Sequence, residues 1–143
     1  MIQGGDPLSK NAEPNAMLGM GGGDMKRIPA EFRPELHHKR GALAAARDGN
    51  PEKASSACQF YLVQGKKVTD AEIEYYEKSG RVFSEIEKKI YKEQGGTPFL
   101  DQNYTVFGEV ESGMQVIDKI AALPRNPQDR PYKDIRMHMK ILK

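Results

Sequence analysis

Cysteine and histidine are the residue types in this chain best suited to covalent or metal chemistry. The chain has one cysteine, Cys58, and three histidines, His37, His38 and His138. A cysteine nucleophile needs a histidine base, but Cys58 carries no local signature of such enzymes. It begins an aromatic strand candidate, which favours a small buried packing residue. Because adjacent side chains of a strand point apart, His37 and His38 would not share a metal, and we expect both to face solvent.

The glycine-rich run at residues 19–24 is a second candidate for chemistry, since such loops can cradle phosphate groups. A phosphate-binding loop would continue into Gly-Lys-Ser or Gly-Lys-Thr and open a helix, and neither follows here. Residues 4–30 are rich in Gly, Pro and Asn and show no periodicity of a helix or strand. The sequence therefore favours a long surface loop that contains glycines in the left-handed conformation. Because the loop is unusually long, we expect it to be functional or packed on itself.

Composition and charge exclude several classes of protein. The chain has 143 residues, of which 38% are hydrophobic and 29% charged, as expected of one globular domain. The formal net charge of +2 is too small to indicate nucleic acid or an anionic membrane as the partner. No apolar run approaches the roughly 20 residues that cross a bilayer. A single cysteine excludes an internal disulfide and a multi-cysteine zinc site.

The hydrophobic patterns predict a mainly β protein. A run of small residues at 41–46 has helical propensity, but it is short and flanked by turn residues, so a strand is favoured. Residues 135–141 alternate Ile and Met with Arg, His and Lys, which predicts a closing strand with one buried face. Residues 114–123 predict a short amphipathic helix. The remaining strand candidates are residues 1–3, 59–63 and 104–110.

Residues 66–96 differ in character and predict an inserted helical hairpin. Thr69 with Glu72, and Ser84 with Glu87, have the spacing of two capping boxes, and glycines follow each helical segment. The charged outer faces are typical of a solvated addition to a rigid scaffold. A helix pair that binds a protein partner is the alternative.

Six short segments occur in a fixed order along the chain. They read MIQGGD (1–6), IPAEF (28–32), GALAAAR (41–47), SACQFY (56–61), TPFLD (97–101) and VFGEV (106–110), the last followed by Gly113 and Met114. Each segment alone is short, but the ordered set resembles the cyclophilin peptidyl-prolyl cis-trans isomerases. The resemblance covers the chain from Met1 to Lys143 apart from the insertion at 66–96, and the Ala46-Arg47 pair and Phe99 look like bacterial members.

The resemblance implies a fold and an activity. The family fold is a closed, eight-stranded antiparallel β-barrel capped by helices, here within a single domain over residues 1–143. The family isomerises X-Pro bonds in unfolded or flexible polypeptides and so assists protein folding. Its partners are proline-containing peptides or unfolded proteins, and its chemistry needs no cofactor and no metal.

The resemblance also implies a set of site residues. Gln3 and Gln59 would be the polar contacts beside the reacting amide. Tyr61, where the family commonly has Phe, would line the proline pocket with Met1 and Leu100. The remaining substrate contacts would be Ala46 and Arg47 along the substrate backbone, Phe99 in place of a frequent Trp, and Tyr104 in place of a frequent His.

One family residue is not matched. The family's catalytic Arg lies just upstream of the position that matches Met1, and none of Arg27, Arg33, Arg40 or Arg47 lies in a corresponding motif. We therefore expect that the first barrel strands are absent here and that Met1 is not the natural start. A proline-peptide-binding or chaperone-like module without turnover is the alternative function. No targeting signal is visible after Met1, so the sequence leaves a cytoplasmic or a periplasmic location open.

Overall fold

A computed structural model describes residues 1–142. Four short strands form one antiparallel sheet in the order β1-β3-β2-β4. The strands are β1 (Ile2–Gly4), β2 (Ala42–Ala45), β3 (Phe60–Leu62) and β4 (Val106–Glu109). The helices are α1 (Asp70–Lys78), α2 (Glu85–Glu93) and α3 (Met114–Ala121), and 3-10 turns occupy Pro7–Ser9 and Pro98–Leu100. The mainly β prediction is confirmed.

The centre of the sheet explains why a run of alanines forms a strand. Tyr61 of β3 stands opposite Ala44 of β2 on one side and opposite Gln3 of β1 on the other. Small side chains on β2 leave room for the aromatic ring beside them, and the pleat places alternate residues on one face. The strand alternative for residues 41–46 is therefore confirmed.

The buried side chains form two clusters. The cluster on the sheet contains Ala42, Ala44, Ala46, Tyr61, Val63 and Leu100, with Tyr104 and Val106 packed against it. The cluster of the hairpin contains Val68, Ile73, Phe83 and Tyr91, with Tyr76 packed against it. The hairpin thus brings its own apolar core, which explains how it can extend from the sheet and still stay folded.

The helical hairpin forms as its caps predict. The Thr69–Glu72 and Ser84–Glu87 capping boxes are both complete, with each hydroxyl accepting from the backbone and each carboxylate accepting in return. Its two ends meet, because the backbone N–H of Gly96 donates to the carbonyl of Lys66 at 3.0 Å. The status of residues 66–96 as an insertion stays a prediction.

The predicted closing strand at residues 135–141 is wrong. Over residues 1–142 this segment forms no strand, and its apolar side chains are exposed by 44% to 90%. Arg136 instead donates to the carbonyl of Lys10 at 2.9 Å. Alternation shows that a segment could cover an apolar face, but a strand also needs a neighbour with free hydrogen-bonding groups. The sheet of the described residues is accordingly open, and the predicted closed barrel is not formed by them.

The helices of residues 1–142 are short. The two longest, α1 and α2, have nine residues each. Over this part of the chain, no helix has the length and apolar character needed to cross a bilayer.

Candidate functional site

Tyr61 lies at the centre of the candidate site, with only 3% of its surface exposed. Its ring packs in the sheet cluster with Ala46 and Leu100, and the ring of Tyr104 meets it edge-on at 5.9 Å between centroids. The structure therefore brings together four of the residues that the resemblance assigns to substrate binding. Three of the four, Tyr61, Ala46 and Leu100, are exposed by 9% or less, so they form a packed apolar cluster.

The hydroxyl of Tyr61 does not face water. It lies 2.9 Å from Nε2 of His38, and Nδ1 of His38 lies 2.7 Å from Oδ1 of Asp101. Because a carboxylate only accepts, Nδ1 donates to Asp101, and Nε2 is left to form the hydrogen bond with the Tyr61 hydroxyl. Burial raises the pKa of the Tyr61 hydroxyl well above its ordinary value, so it stays protonated.

The prediction that His37 and His38 both face solvent is wrong. His38 is completely buried, and the side chain of His37 is only 11% exposed. The reason is Asp101, whose carboxylate accepts from both the ring and the backbone N–H of His38. These partners are 63 residues apart in the chain, so the local sequence around the histidines gave no sign of them.

Asp101 also binds the helical hairpin. Its Oδ2 accepts from the Tyr91 hydroxyl and from the Arg81 guanidinium at 2.8 Å. Burial alone would raise the pKa of Asp101, but hydrogen bonds from His38 and Tyr91 outweigh it and hold the pKa below its ordinary value. Burial raises the pKa of Tyr91, and the Asp101 carboxylate adds to that effect. We call Tyr61, His38, Asp101, Tyr91 and Arg81 the Asp101 network.

A set of possible metal ligands adjoins the Asp101 network. Single ligand atoms of His37, Glu87 and Asp101 lie within 4.8 Å of one another. The Arg81 guanidinium already bridges both carboxylates, at 3.3 Å from Glu87 and 2.8 Å from Asp101. A positive charge therefore occupies the position that a cation would take, and we interpret these residues as an ion-pair cluster.

The two glutamines of the predicted site lie together. Nε2 of Gln3 donates to Oε1 of Gln59 at 2.9 Å, across the β1–β3 pair. Gln59 is buried, and its own Nε2 donates to the carbonyls of Gly19 and Gly21 at 3.1 and 2.9 Å. The glycine-rich loop thus fixes the carboxamide of Gln59, whereas the side chain of Gln3 remains exposed.

Asp6 secures the glycine-rich loop and is a residue that sequence reasoning missed. Its carboxylate accepts from the backbone N–H groups of Leu8, Gly19 and Gly21. Burial would raise the pKa of Asp6, but these backbone donors hold it below its ordinary value. The prediction of a surface loop with left-handed glycines is confirmed, since Gly19 and Gly22 both have positive φ.

Arg47 follows Ala46 at the end of β2 and is held against the protein. Its Nε donates to the carbonyl of Asn103 at 2.8 Å, and its guanidinium lies 4.6 Å above the ring of Tyr104. A further donor reaches the carbonyl of Asp48. The cation over an aromatic face stabilises both side chains at one edge of the sheet cluster.

Met1 and Phe99 lie apart from this cluster, in a groove of about 370 Å³ against the hairpin. The groove is also lined by Val68, Glu72 and Tyr76, whereas Tyr61 and Leu100 are not among its lining residues. Met1 is 47% exposed and Phe99 54%. The structure therefore does not place these two residues with Tyr61 in one cavity.

Cys58 is half-buried just ahead of β3, rather than fully buried as its position predicted. Its Sγ lies 3.8 Å from the Ser56 hydroxyl and 4.0 Å from the carbonyl of Gly21. His38, one of the bases considered for it, is bound to Asp101 and Tyr61 instead. The packing interpretation of Cys58 against the glycine-rich loop is the one that these contacts support.

Comparison with known proteins gives consistent matches. Residues 1–141 match the family described as cyclophilin type peptidyl-prolyl cis-trans isomerase/CLD. A Streptococcus pyogenes protein assigned as a bifunctional phosphatase/peptidyl-prolyl cis-trans isomerase is 38% identical over 94% of this chain and 27% of its own length. Proteins of Staphylococcus saprophyticus and Staphylococcus aureus assigned as peptidyl-prolyl cis-trans isomerases are 36% and 34% identical, again over 94% of this chain. The chain spans 63% of the length of these two relatives.

Proposed function

Since this chain belongs to the cyclophilin-type peptidyl-prolyl cis-trans isomerase family, we propose that it catalyses cis–trans isomerisation of X-Pro bonds in unfolded or flexible polypeptides. Such catalysis would assist the folding of proteins in which this isomerisation is slow. Its partners would be proline-containing peptides or unfolded proteins.

The observation that carries this proposal is the arrangement of Gln59 and Tyr61 on β3 and its N-terminal extension. The two residues are two positions apart, so their side chains point to the same side of the strand. On that side Tyr61 packs with Ala46 and Leu100, and Gln59 binds Gln3. An apolar cluster thus adjoins two carboxamides, and we propose that a proline ring packs at the edge of this cluster while the carboxamides bind the peptide bond before it.

The reaction needs only that the twisted amide be bound better than either planar form. Rotation of the X-Pro bond has a barrier near 18–20 kcal/mol because conjugation is lost. Each 1.36 kcal/mol of preferential binding to the twisted state accelerates rotation about tenfold. No covalent intermediate and no cofactor is required by this mechanism.

Gln3 is the group best placed to meet the rotating carbonyl. Its carboxamide nitrogen carries two protons, of which one is directed at Gln59. The second proton can be donated to a substrate oxygen, since the Gln3 side chain is exposed. Gln59 itself serves to orient Gln3, because the carbonyls of Gly19 and Gly21 already bind its nitrogen.

The closed barrel of the family belongs to this proposal as well. We infer that the four strands are part of such a barrel. Support comes from the antiparallel pairing throughout the sheet and from the family match over residues 1–141.

A refolding experiment tests the proposed function. The protein should accelerate the slow phase of a client whose refolding is limited by X-Pro isomerisation, an uncatalysed step of about 10–100 s. The same client, unfolded so briefly that its prolines keep their native isomers, is the control and should refold at an unchanged rate. Binding of the unfolded client without acceleration would contradict the isomerase and favour the module without turnover.

A further inference from the structure

The Asp101 network connects the helical hairpin to the centre of the sheet through a continuous series of side-chain hydrogen bonds. It runs from Arg81 and Tyr91 to Asp101, then to His38, and ends at the Tyr61 hydroxyl. Four of its five members are buried: Tyr91 and His38 have no exposed surface, Tyr61 has 3% and Asp101 has 5%, whereas the side chain of Arg81 is 21% exposed. Water is therefore excluded from the bonds among the four buried members, and the loss of one of these partners would leave a buried polar group unsatisfied.

The bonds of the network define one arrangement. Oδ1 of Asp101 accepts twice from His38, and Oδ2 accepts from the hairpin. The imidazole is thereby held by one nitrogen, which leaves the other nitrogen directed at Tyr61. Because these hydrogen bonds are in series, a shift of Asp101 also moves the imidazole of His38, which contacts the Tyr61 hydroxyl.

A side chain of the hairpin also binds a backbone carbonyl close to Asp101. The Arg81 guanidinium donates to the carbonyl of Pro98 at 2.6 Å as well as to Asp101. Arg81 lies in the connection between α1 and α2, Tyr91 lies within α2, and both side chains converge on one carboxylate. This convergence is more than is needed to hold a solvated surface addition in place.

We propose that Arg81 and Tyr91 are positioning residues, which act through Asp101 and His38 to fix the ring of Tyr61 in the substrate site. This inference rests on the proposed isomerase function and assigns the hairpin a part in it. A Phe, common at this position in the family, has no hydroxyl to bind. The Tyr in this chain adds a hydroxyl in the interior, and the network both satisfies it and fixes the ring.

A double-mutant cycle tests the proposal. Tyr91→Phe removes one bond to Asp101 and should lower kcat/KM for an X-Pro peptide by about three- to tenfold. In a Tyr61→Phe background, where the hydroxyl that the network holds is absent, Tyr91→Phe should cause no further loss. Tyr75→Phe is the matched control, because Tyr75 lies on α1 of the same hairpin, is 69% exposed and is outside the network.

The ring of Tyr61 gives a second readout that does not depend on turnover. In protein labelled at the tyrosine ring carbons, Tyr91→Phe should accelerate the ring flips of Tyr61 and Tyr75→Phe should not. Arg81→Gln should act like Tyr91→Phe in both assays, and it keeps the proposal testable if Tyr91→Phe folds poorly.

The outcomes separate this proposal from the proposed function. An equal loss of activity in both backgrounds would mean that Tyr91 acts on general stability, and would overturn the positioning role. An active wild type with unchanged activity in Tyr91→Phe would overturn it too, and would leave the isomerase intact. A wild type without isomerase activity would overturn the proposed function and this inference together.

Discussion

The carboxamides of Gln3 and Gln59 lie 2.9 Å apart across neighbouring strands, although 56 residues separate them in the chain. Their environments differ: Gln59 is buried and bound to the glycine-rich loop, whereas Gln3 is exposed at its free side. This difference divides two roles between residues of the same chemical type. Gln59 provides a fixed acceptor for Gln3, and under the proposed function the second amide proton of Gln3 is donated to the substrate.

Replacement of Gln3 therefore should affect activity more than stability. We expect Gln3→Ala to lower kcat/KM for an X-Pro peptide about tenfold, because a donor to the twisted amide is lost. The free energy of unfolding should fall by about 1 kcal/mol, because the hydrogen bond to Gln59 is lost. Gln115→Ala, at an exposed position of α3, is the matched control. Unchanged turnover in Gln3→Ala would remove Gln3 from the site.

Asp101 should make the free energy of unfolding depend on pH in the acid range. Its pKa is below the ordinary value of 3.8, so its carboxylate stabilises the fold above that pH. The contribution is lost as the pH falls through the lower, folded pKa. Asp101→Asn should lower the free energy of unfolding by about 1.5–3 kcal/mol near neutral pH, because the hydrogen bonds to a buried charge are lost while Arg81 keeps its contact with Glu87.

Urea unfolding of both proteins across the acid range measures this contribution. The difference in unfolding free energy should be constant above about pH 4 and should shrink as the pH falls further. Other carboxylates titrate in the same pH range, but their effect is common to the wild type and Asp101→Asn and cancels when the two unfolding free energies are subtracted. Asp24→Asn, in the exposed part of the glycine-rich loop, serves as the control. A difference that is independent of pH would show that the Asp101 charge does not stabilise the fold.

The hairpin should be removable without loss of the sheet. Lys66 and Gly96 are already joined by a backbone hydrogen bond, so a short Gly-Ser link between Lys66 and Gly95 closes the gap at little entropic cost. Because Arg81 and Tyr91 are removed from Asp101, we expect a lower Tm with unfolding still cooperative. Calorimetry would measure both. Loss of cooperative unfolding would mean that the hairpin belongs to the core of the domain.

The parts of the fold that depend on local sequence could be predicted, and those that depend on distant partners could not. Thr69 and Glu72 form a capping box from residues three apart, so the sequence contains the whole interaction. His38 and Asp101 are 63 residues apart, and their pairing overrode the expectation of a solvent-facing histidine. The alternation at residues 135–141 predicted a strand, but strand formation also requires a partner, which alternation does not specify.

The candidate site divides in the same way. The resemblance placed Tyr61, Ala46 and Leu100 in one site, and the structure brings these three together. The resemblance gave no sign of Asp6, Arg81 or Tyr91, which position site residues through hydrogen bonds to other elements. Residues of this kind follow from folding geometry rather than from a motif.

Exchange spectroscopy on an X-Pro peptide tests the central claim most directly. With a small amount of the protein present, NMR exchange between the cis and trans signals should become measurable, since the uncatalysed step takes about 10–100 s. Tyr61→Ala should reduce this exchange by about tenfold or more. Because loss of a buried ring costs about 3–5 kcal/mol, its folded state must be verified in the same samples. Absence of exchange with the wild type would contradict the isomerase, and wild-type exchange from a folded Tyr61→Ala variant would contradict the site.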